Sequence, residues 1–187
     1  MSNETLPEEV SMPLKDRFEE VLEKLLRAYS GYYNIKRESS VPAFCAEAEF
    51  HLHNEQYFLV KAAKLSESET KETIFFAKTD VLDAEKAASL AAKAWEEGLS
   101  RITPGPNHRC SDVSLVILAG GVTPDAAELI KKNKEVKSYR FGLYGYSHFR
   151  MVAFDLSKSV VVRNKMGDTL EKVICDIFFK SKEERKK

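Results

Sequence analysis

The sequence predicts a single α/β domain with some α+β character: a mixed β-sheet with an N-terminal antiparallel three-stranded section, flanked by about four helices. Three observations lead there. The apolar positions of residues 14–29 recur at helical spacing. Three strand-like runs follow within residues 43–79. Further on, the run Val113-Ser114-Leu115-Val116-Ile117-Leu118 lacks polar alternation, as a strand buried on both faces would, and passes through Gly120-Gly121 into a helix signal. Such an order of elements implies a sheet covered by helices.

The bounds agree with one domain. The chain has 187 residues, 43% hydrophobic and 31% charged, within the range of a single folding unit. Lys+Arg and Asp+Glu balance at 29 each, so the overall field gives no reason to expect nucleic acid or an anionic membrane as the main partner. No apolar run approaches the ~20 residues that cross a bilayer, and the acidic start Met1-Ser2-Asn3-Glu4 lacks the plan of a signal peptide. Cys45, Cys110 and Cys175 are odd in number and far apart, which fits reduced thiols. A cytoplasmic protein is therefore expected.

Residues 1–13, with Pro7 and Pro13, read as a loose arm, 14–180 as the domain and 181–187 as a charged tail. The first helix carries Leu14, Phe18, Val21, Leu22, Leu25, Leu26 and Tyr29 on one stripe, with Glu20/Lys24 and Glu23/Arg27 on its wet side and Gly31 to end it. Strands are expected at about 43–53, 57–65 and 72–79. An odd loop Asn54-Glu55-Gln56 would pair Leu52 with Phe58 and set Glu49 opposite Lys61. A second helix is expected over Asp80–Ile102, capped by Asp80 or Asp83. The chain then breaks at Thr103-Pro104-Gly105-Pro106, enters the buried strand, turns at Gly120-Gly121 and starts a third helix with Thr123 as cap and Pro124 at its first position. Strands near 136–144, 148–156 and 159–163 precede a last helix opened by the capping box Asp168-Thr169-Leu170-Glu171.

Four places bear residues that could do chemistry. Along the first strand, Glu47, Glu49, His51 and His53 would share one face, and imidazole with carboxylate suits a divalent metal. The plainer reading is the solvated side of a hairpin. At Gly120, Gly121 and Thr123, a strand passing into a helix N-terminus could hold an anion, although Asp125 in the first turn would oppose it. The run Asn107-His108-Arg109-Cys110-Ser111-Asp112 pairs a thiol with an imidazole, but reads first as a polar surface loop. Finally, Lys131, Lys132, Lys134, Lys137, Arg140 and Arg150 interleave with Tyr139, Phe141, Tyr144, Tyr146, His148 and Phe149, as a nucleic-acid or nucleotide surface would.

The order helix, three strands, helix, strand over about residues 14–119 resembles the core of the PD-(D/E)XK nuclease superfamily. That resemblance implies a divalent metal held by an acid near the second strand and by an acid-x-Lys on the third. Lys78 stands where the lysine would, Phe76 replaces the acid, and Glu55 is a loose match to the other acid. It therefore implies a degenerate, non-cleaving member.

The leading expectation is a binding or assembly module, without an assigned catalytic residue and without a cofactor. The alternatives are a metal-dependent hydrolase using Glu47, Glu49, His51 and His53, and nucleotide or nucleic-acid binding through residues 131–150. An open edge strand would also allow pairing with a second copy of the chain.

Overall fold

Helix α1 (Leu14–Tyr29) forms where its stripe predicts and buries Phe18, Leu22, Leu25, Leu26 and Tyr29, each worth roughly 1.5–3 kcal/mol of transfer free energy. The computed structural model describes residues 13–51, 69–106 and 108–180. After α1 come β1 (Asn34–Lys36), β2 (Ala46–His51), β3 (Glu69–Leu82), α2 (Ala84–Ser100), β4 (His108–Val122), α3 (Pro124–Lys132), β5 (Val136–Ser138), β6 (Tyr146–Asp155), β7 (Val160–Arg163) and α4 (Asp168–Phe178). The fold is the predicted α/β class: one mixed sheet of order β1-β2-β3-β4-β6-β5, with β7 also paired to β6.

Strands β3, β4 and β6 run parallel, and β1, β2, β5 and β7 pair antiparallel to their neighbours. The antiparallel section on the N-terminal side is therefore β1-β2-β3, with β1 a member the sequence did not announce. Glu49 faces Asn34 on one side and Thr73 on the other, so the positions across from it are taken by residues other than Lys61. The expected strand 57–65 lies outside the described residues.

Side chains alternate between two apolar layers. On one face Phe75, Ala77, Val113, Leu115, Ile117, Phe149, Met151 and Ala153 pack with Ala87, Ala91 and Ala94 of α2 and Ala126 and Ile130 of α3. On the other, Ala46, Ala48, Ile74, Phe76, Val116, Leu118, Val152 and Phe154 pack with α1 and with Leu170 and Ile174 of α4. Parallel strands need cover on both sides. Here α2 and α3 supply one cover, α1 and α4 the other.

Several boundaries differ from expectation for local reasons. Strand β3 runs on to Leu82, so α2 starts at Ala84 with Asp83, not Asp80, accepting a hydrogen bond from the Lys86 N–H. Gly120 and Gly121 lie within β4 rather than in a turn. Strand 136–144 stops at Ser138, because Arg140, Phe141, Gly142 and Gly145 all take positive φ and fold residues 139–145 into a tight loop. At α4, Gly167 occupies the cap position, while Asp168 and Glu171 bind Arg163, so no capping box forms. Of the two helix-surface pairs expected, Glu20–Lys24 forms at 2.5 Å, and Glu23 instead binds Arg37.

Gly120 explains itself by crowding: a Cβ there would stand 2.5 Å from the Asp80 carbonyl oxygen and 2.7 Å from Leu14 Cδ2. The backbone oxygen cannot move aside without breaking the β3–β4 ladder. Gly120→Ala is expected to lose roughly 1–3 kcal/mol in urea unfolding, whereas Gly121→Ala, with its nearest neighbour at 3.9 Å, is expected to stay within about 0.5 kcal/mol of wild type.

Candidate functional site

The apolar layer under α1 and α4 ends abruptly. Followed toward the N-terminal ends of the parallel strands, Ile74, Phe76, Val116 and Val152 give way on the same face to Glu72, Ser114, Asp112, Arg150, His148 and Cys110. Alternation within each strand puts them on one side. Parallel register then brings them together, with Asp112 beside both Glu72 and His148, and Ser114 beside Arg150.

Arg150 organises the group. Its Nη2 lies 2.6 Å from Asp112 Oδ2 and its Nη1 3.1 Å from Glu72 Oε1. Glu72 also accepts hydrogen bonds from Ser114 Oγ at 2.6 Å and from the Tyr33 hydroxyl at 2.7 Å. Asp112 Oδ1 points the other way, 3.6 Å from Cys110 Sγ and 3.5 Å from His148 Nδ1. Cys110 Sγ and His148 Nδ1 stand 3.5 Å apart. Tyr146 stacks on His148 at 6.5 Å between ring centroids. The side chain of His148 is 28% exposed and that of Asp112 only 8%, so the triangle has one open side.

The electrostatics follow from partial burial. Burial, with Asp112 beside it, pushes the Cys110 thiol up to about 11. Burial likewise raises the Asp112 carboxyl; Arg150 pulls it down, and Glu72 adds to the rise. Burial and the nearby Glu72 also raise the Tyr33 phenol. At neutral pH Cys110 is therefore a thiol, not a thiolate nucleophile.

On the opposite face of the sheet, Glu47 and Glu49 meet Arg101, just beyond the end of α2: Arg101 Nη1 is 2.6 Å from Glu47 Oε2 and 2.9 Å from Glu49 Oε1, and Nε is 2.9 Å from Glu97. Lys36 binds Glu49 at 2.8 Å, Ser39 donates to Glu47, and Arg101 lies over the Phe75 ring at 5.1 Å. The strand face expected to be solvated is thus sealed at Glu47, which is fully buried. Burial would raise the Glu47 carboxyl, but hydrogen bonds from Arg101 and Ser39 hold it below its usual value. His53 and the side chain of His51 lie outside the described part of the structure.

The other sequence candidates separate. Thr123 caps α3 through Ala126 N and donates to the Leu82 carbonyl, while Val122 N donates to Asp155, so the groups near Gly120 and Gly121 are already used. Lys131 and Lys132 both reach Glu128. Arg140 lies over Tyr144 and Lys137 over Tyr139, whereas Arg150 belongs to the interior network and is not on a surface shared with the lysines. Lys134 is exposed. Lys78 binds Glu19 at 2.6 Å and Phe76 is fully buried, so residues 76–78 do not supply the acid-x-Lys pair; Glu55 lies outside the described residues.

Residues 108–112 prove to be the start of β4 instead of a loop. Glu69 faces His108 and Thr70 faces Cys110, which makes Arg109 a bulged residue. The bulge divides the run between the two faces. His108 pairs with Ser111 at 2.8 Å and with the Tyr144 carbonyl at 2.6 Å, inside the α2/α3 side, while Cys110 and Asp112 join His148 on the α1/α4 side. The thiol's imidazole partner therefore comes from β6, 38 residues away, not from the adjacent histidine. Among the sequence candidates, Cys110 and Asp112 from the 107–112 run and His148 and Arg150 from the 131–150 segment take part in this cluster, two stretches that nothing in the sequence joins. Glu72 was not singled out, although it stands as a charged residue at the start of a largely apolar run.

Fold and site together define a three-layer α/β domain whose mixed sheet carries an ionisable cluster at one end of its α1/α4 face. A family model covers residues 17–175, and the chain belongs to that family, the domain of unknown function DUF8052. No curated protein and no solved structure matches the chain.

Two measurements check this electrostatic account. Since the Glu47 carboxyl is depressed in the fold, it stabilises the protein above its unfolded value of 4.5, and that stability is lost as pH falls through the lower folded value. Thermal melts between pH 3 and 6 are expected to show a steeper acid loss in wild type than in Glu47→Gln. In metal-free protein at pH 7.5, peptide mapping is expected to show Cys110 alkylated by iodoacetamide at least about tenfold more slowly than free cysteine.

Proposed function

We propose that this protein is a binding module whose ligand sits at the polar end of the α1/α4 face, against Glu72, Cys110, Asp112, His148 and Arg150. One observation carries the reading: the polar groups of three adjacent strands converge where the apolar rows packed under α1 and α4 end, with His148 partly exposed beside them. A fold gains little from such a cluster, because taking charges out of water costs several kcal/mol per ion and good pairing only offsets it. Binding sites are where that cost is commonly retained.

The raised Cys110 thiol favours binding over nucleophilic catalysis. A hydrolase centred on Glu47 and Glu49 finds less support, since both carboxylates are already neutralised by Arg101 and Lys36. No helix among the described residues is long and apolar enough to cross a membrane. Free Cys45, Cys110 and Cys175 further support a cytoplasmic setting.

If Cys110 and His148 serve a ligand rather than the fold, removing both costs the stripped protein little. In chelator-treated protein, where no bound species adds stability, Cys110→Ala/His148→Ala is expected to unfold within about 1 kcal/mol of wild type or above it. A loss of about 3 kcal/mol or more would make the cluster a structural one and end this reading.

A further inference from the structure

We propose that Cys110, Asp112 and His148 bind one divalent cation of the zinc class, with three protein ligands and a fourth position open. The inference rests on the reading of this end of the sheet as the binding site and names its ligand.

Geometry is the first argument. The distances between the three donor atoms are 3.5, 3.5 and 3.6 Å. A tetrahedral zinc with a sulfur ligand at ~2.3 Å and nitrogen and oxygen ligands at ~2.1 Å separates those ligands by about 3.4–3.6 Å. The triangle is therefore the size of one face of a zinc tetrahedron, with no rearrangement required. All three side chains rise from the same face of the sheet, which directs the remaining vertex away from it.

Donor chemistry selects the metal. Thiolate with imidazole favours zinc, cobalt or nickel over the oxygen-seeking magnesium and calcium. Charge agrees, since thiolate, carboxylate and neutral imidazole sum to the charge that a divalent ion cancels. On binding, the metal–sulfur bond replaces the S–H bond, and the proton leaves to solvent.

The surroundings have the form that metal ligands need. Arg150 occupies Asp112 Oδ2 at 2.6 Å, leaving Oδ1 as the single donor turned toward Cys110 and His148. Glu72 fixes Arg150 in turn, and Tyr146 stacks against the imidazole. Such outer contacts orient first ligands and tune their affinity. Glu47 and Glu49, by contrast, turn their oxygens to cations the protein already supplies.

Cobalt(II) is the probe, because its spectrum reports coordination. Titration of the metal-free protein is expected to show one equivalent bound, the intense visible bands of four-coordinate cobalt, and a thiolate-to-cobalt charge-transfer band in the near ultraviolet. Zinc should displace it, and a large excess of magnesium should not. Cys110→Ser, nearly isosteric and so expected to fold, should lose the charge-transfer band, and His148→Ala should weaken binding at least about 100-fold. A weak six-coordinate spectrum, the absence of stoichiometric binding, or binding unchanged in Cys110→Ser/His148→Ala would each overturn the proposal. If cobalt fails to bind while the stripped Cys110→Ala/His148→Ala protein keeps its stability, the cation is lost and the binding-module reading stands. A double variant that unfolds easily removes that reading itself.

Discussion

Everything in this fold follows from the burial of β4 between two parallel partners. A strand hydrogen-bonded to β3 on one side and β6 on the other has both faces inside the protein, and each must be closed by helices. The two βα units β3-α2-β4 and β4-α3-β6 place α2 and α3 on one side. That leaves the opposite face to the ends of the chain, and α1 and α4 close it together. The apolar rows that α1 and α4 cover give way on the same face to the polar rows of Glu72, Asp112 and His148.

The two faces solve the same problem differently at that end. Each has a guanidinium between carboxylates: Arg101 among Glu47, Glu49 and Glu97, and Arg150 between Glu72 and Asp112. Arg101 reaches down from the segment after α2, so a single cation ties a helix end to β2. Removing one partner of such a buried pair strands the other, at a cost of ~3–5 kcal/mol. Arg150 belongs to the sheet itself and ties strand to strand, and one carboxylate oxygen of Asp112 is left facing a thiol and an imidazole. One cluster is closed on itself. The other has capacity to spare.

How much of this was legible depended on whether the information was local. Helices α1, α2 and α3 were readable because apolar spacing and caps such as Asp83 and Thr123 act over a few residues. The buried character of β4 was readable in Val113–Leu118, but its length was not, since Gly120 belongs to the strand through a close approach to Asp80 that only pairing creates. Strand β1 is three residues long, so its single polar-apolar-polar step is too short to stand out as an alternation. The alternating run around Glu47 and Glu49 did give the face those residues share; it could not give Arg101, 52 residues beyond Glu49. For the same reason the thiol was seen with the wrong histidine: His108 is near in sequence, His148 in space.

The bulge at Arg109 sets the phase of everything after it. A strand has only two phases, and one extra residue converts one into the other. With Arg109 set aside from the pairing, His108 serves the interior on the α2/α3 side and Cys110 begins the alternation that carries Asp112 and Ser114 to the other face. A substitution along the start of β4 therefore alters one face at a time, but a single-residue insertion or deletion between Arg109 and Ser114 exchanges the lining of both faces at once. The number of residues there thus constrains both faces together, whereas the identity of each residue constrains only one.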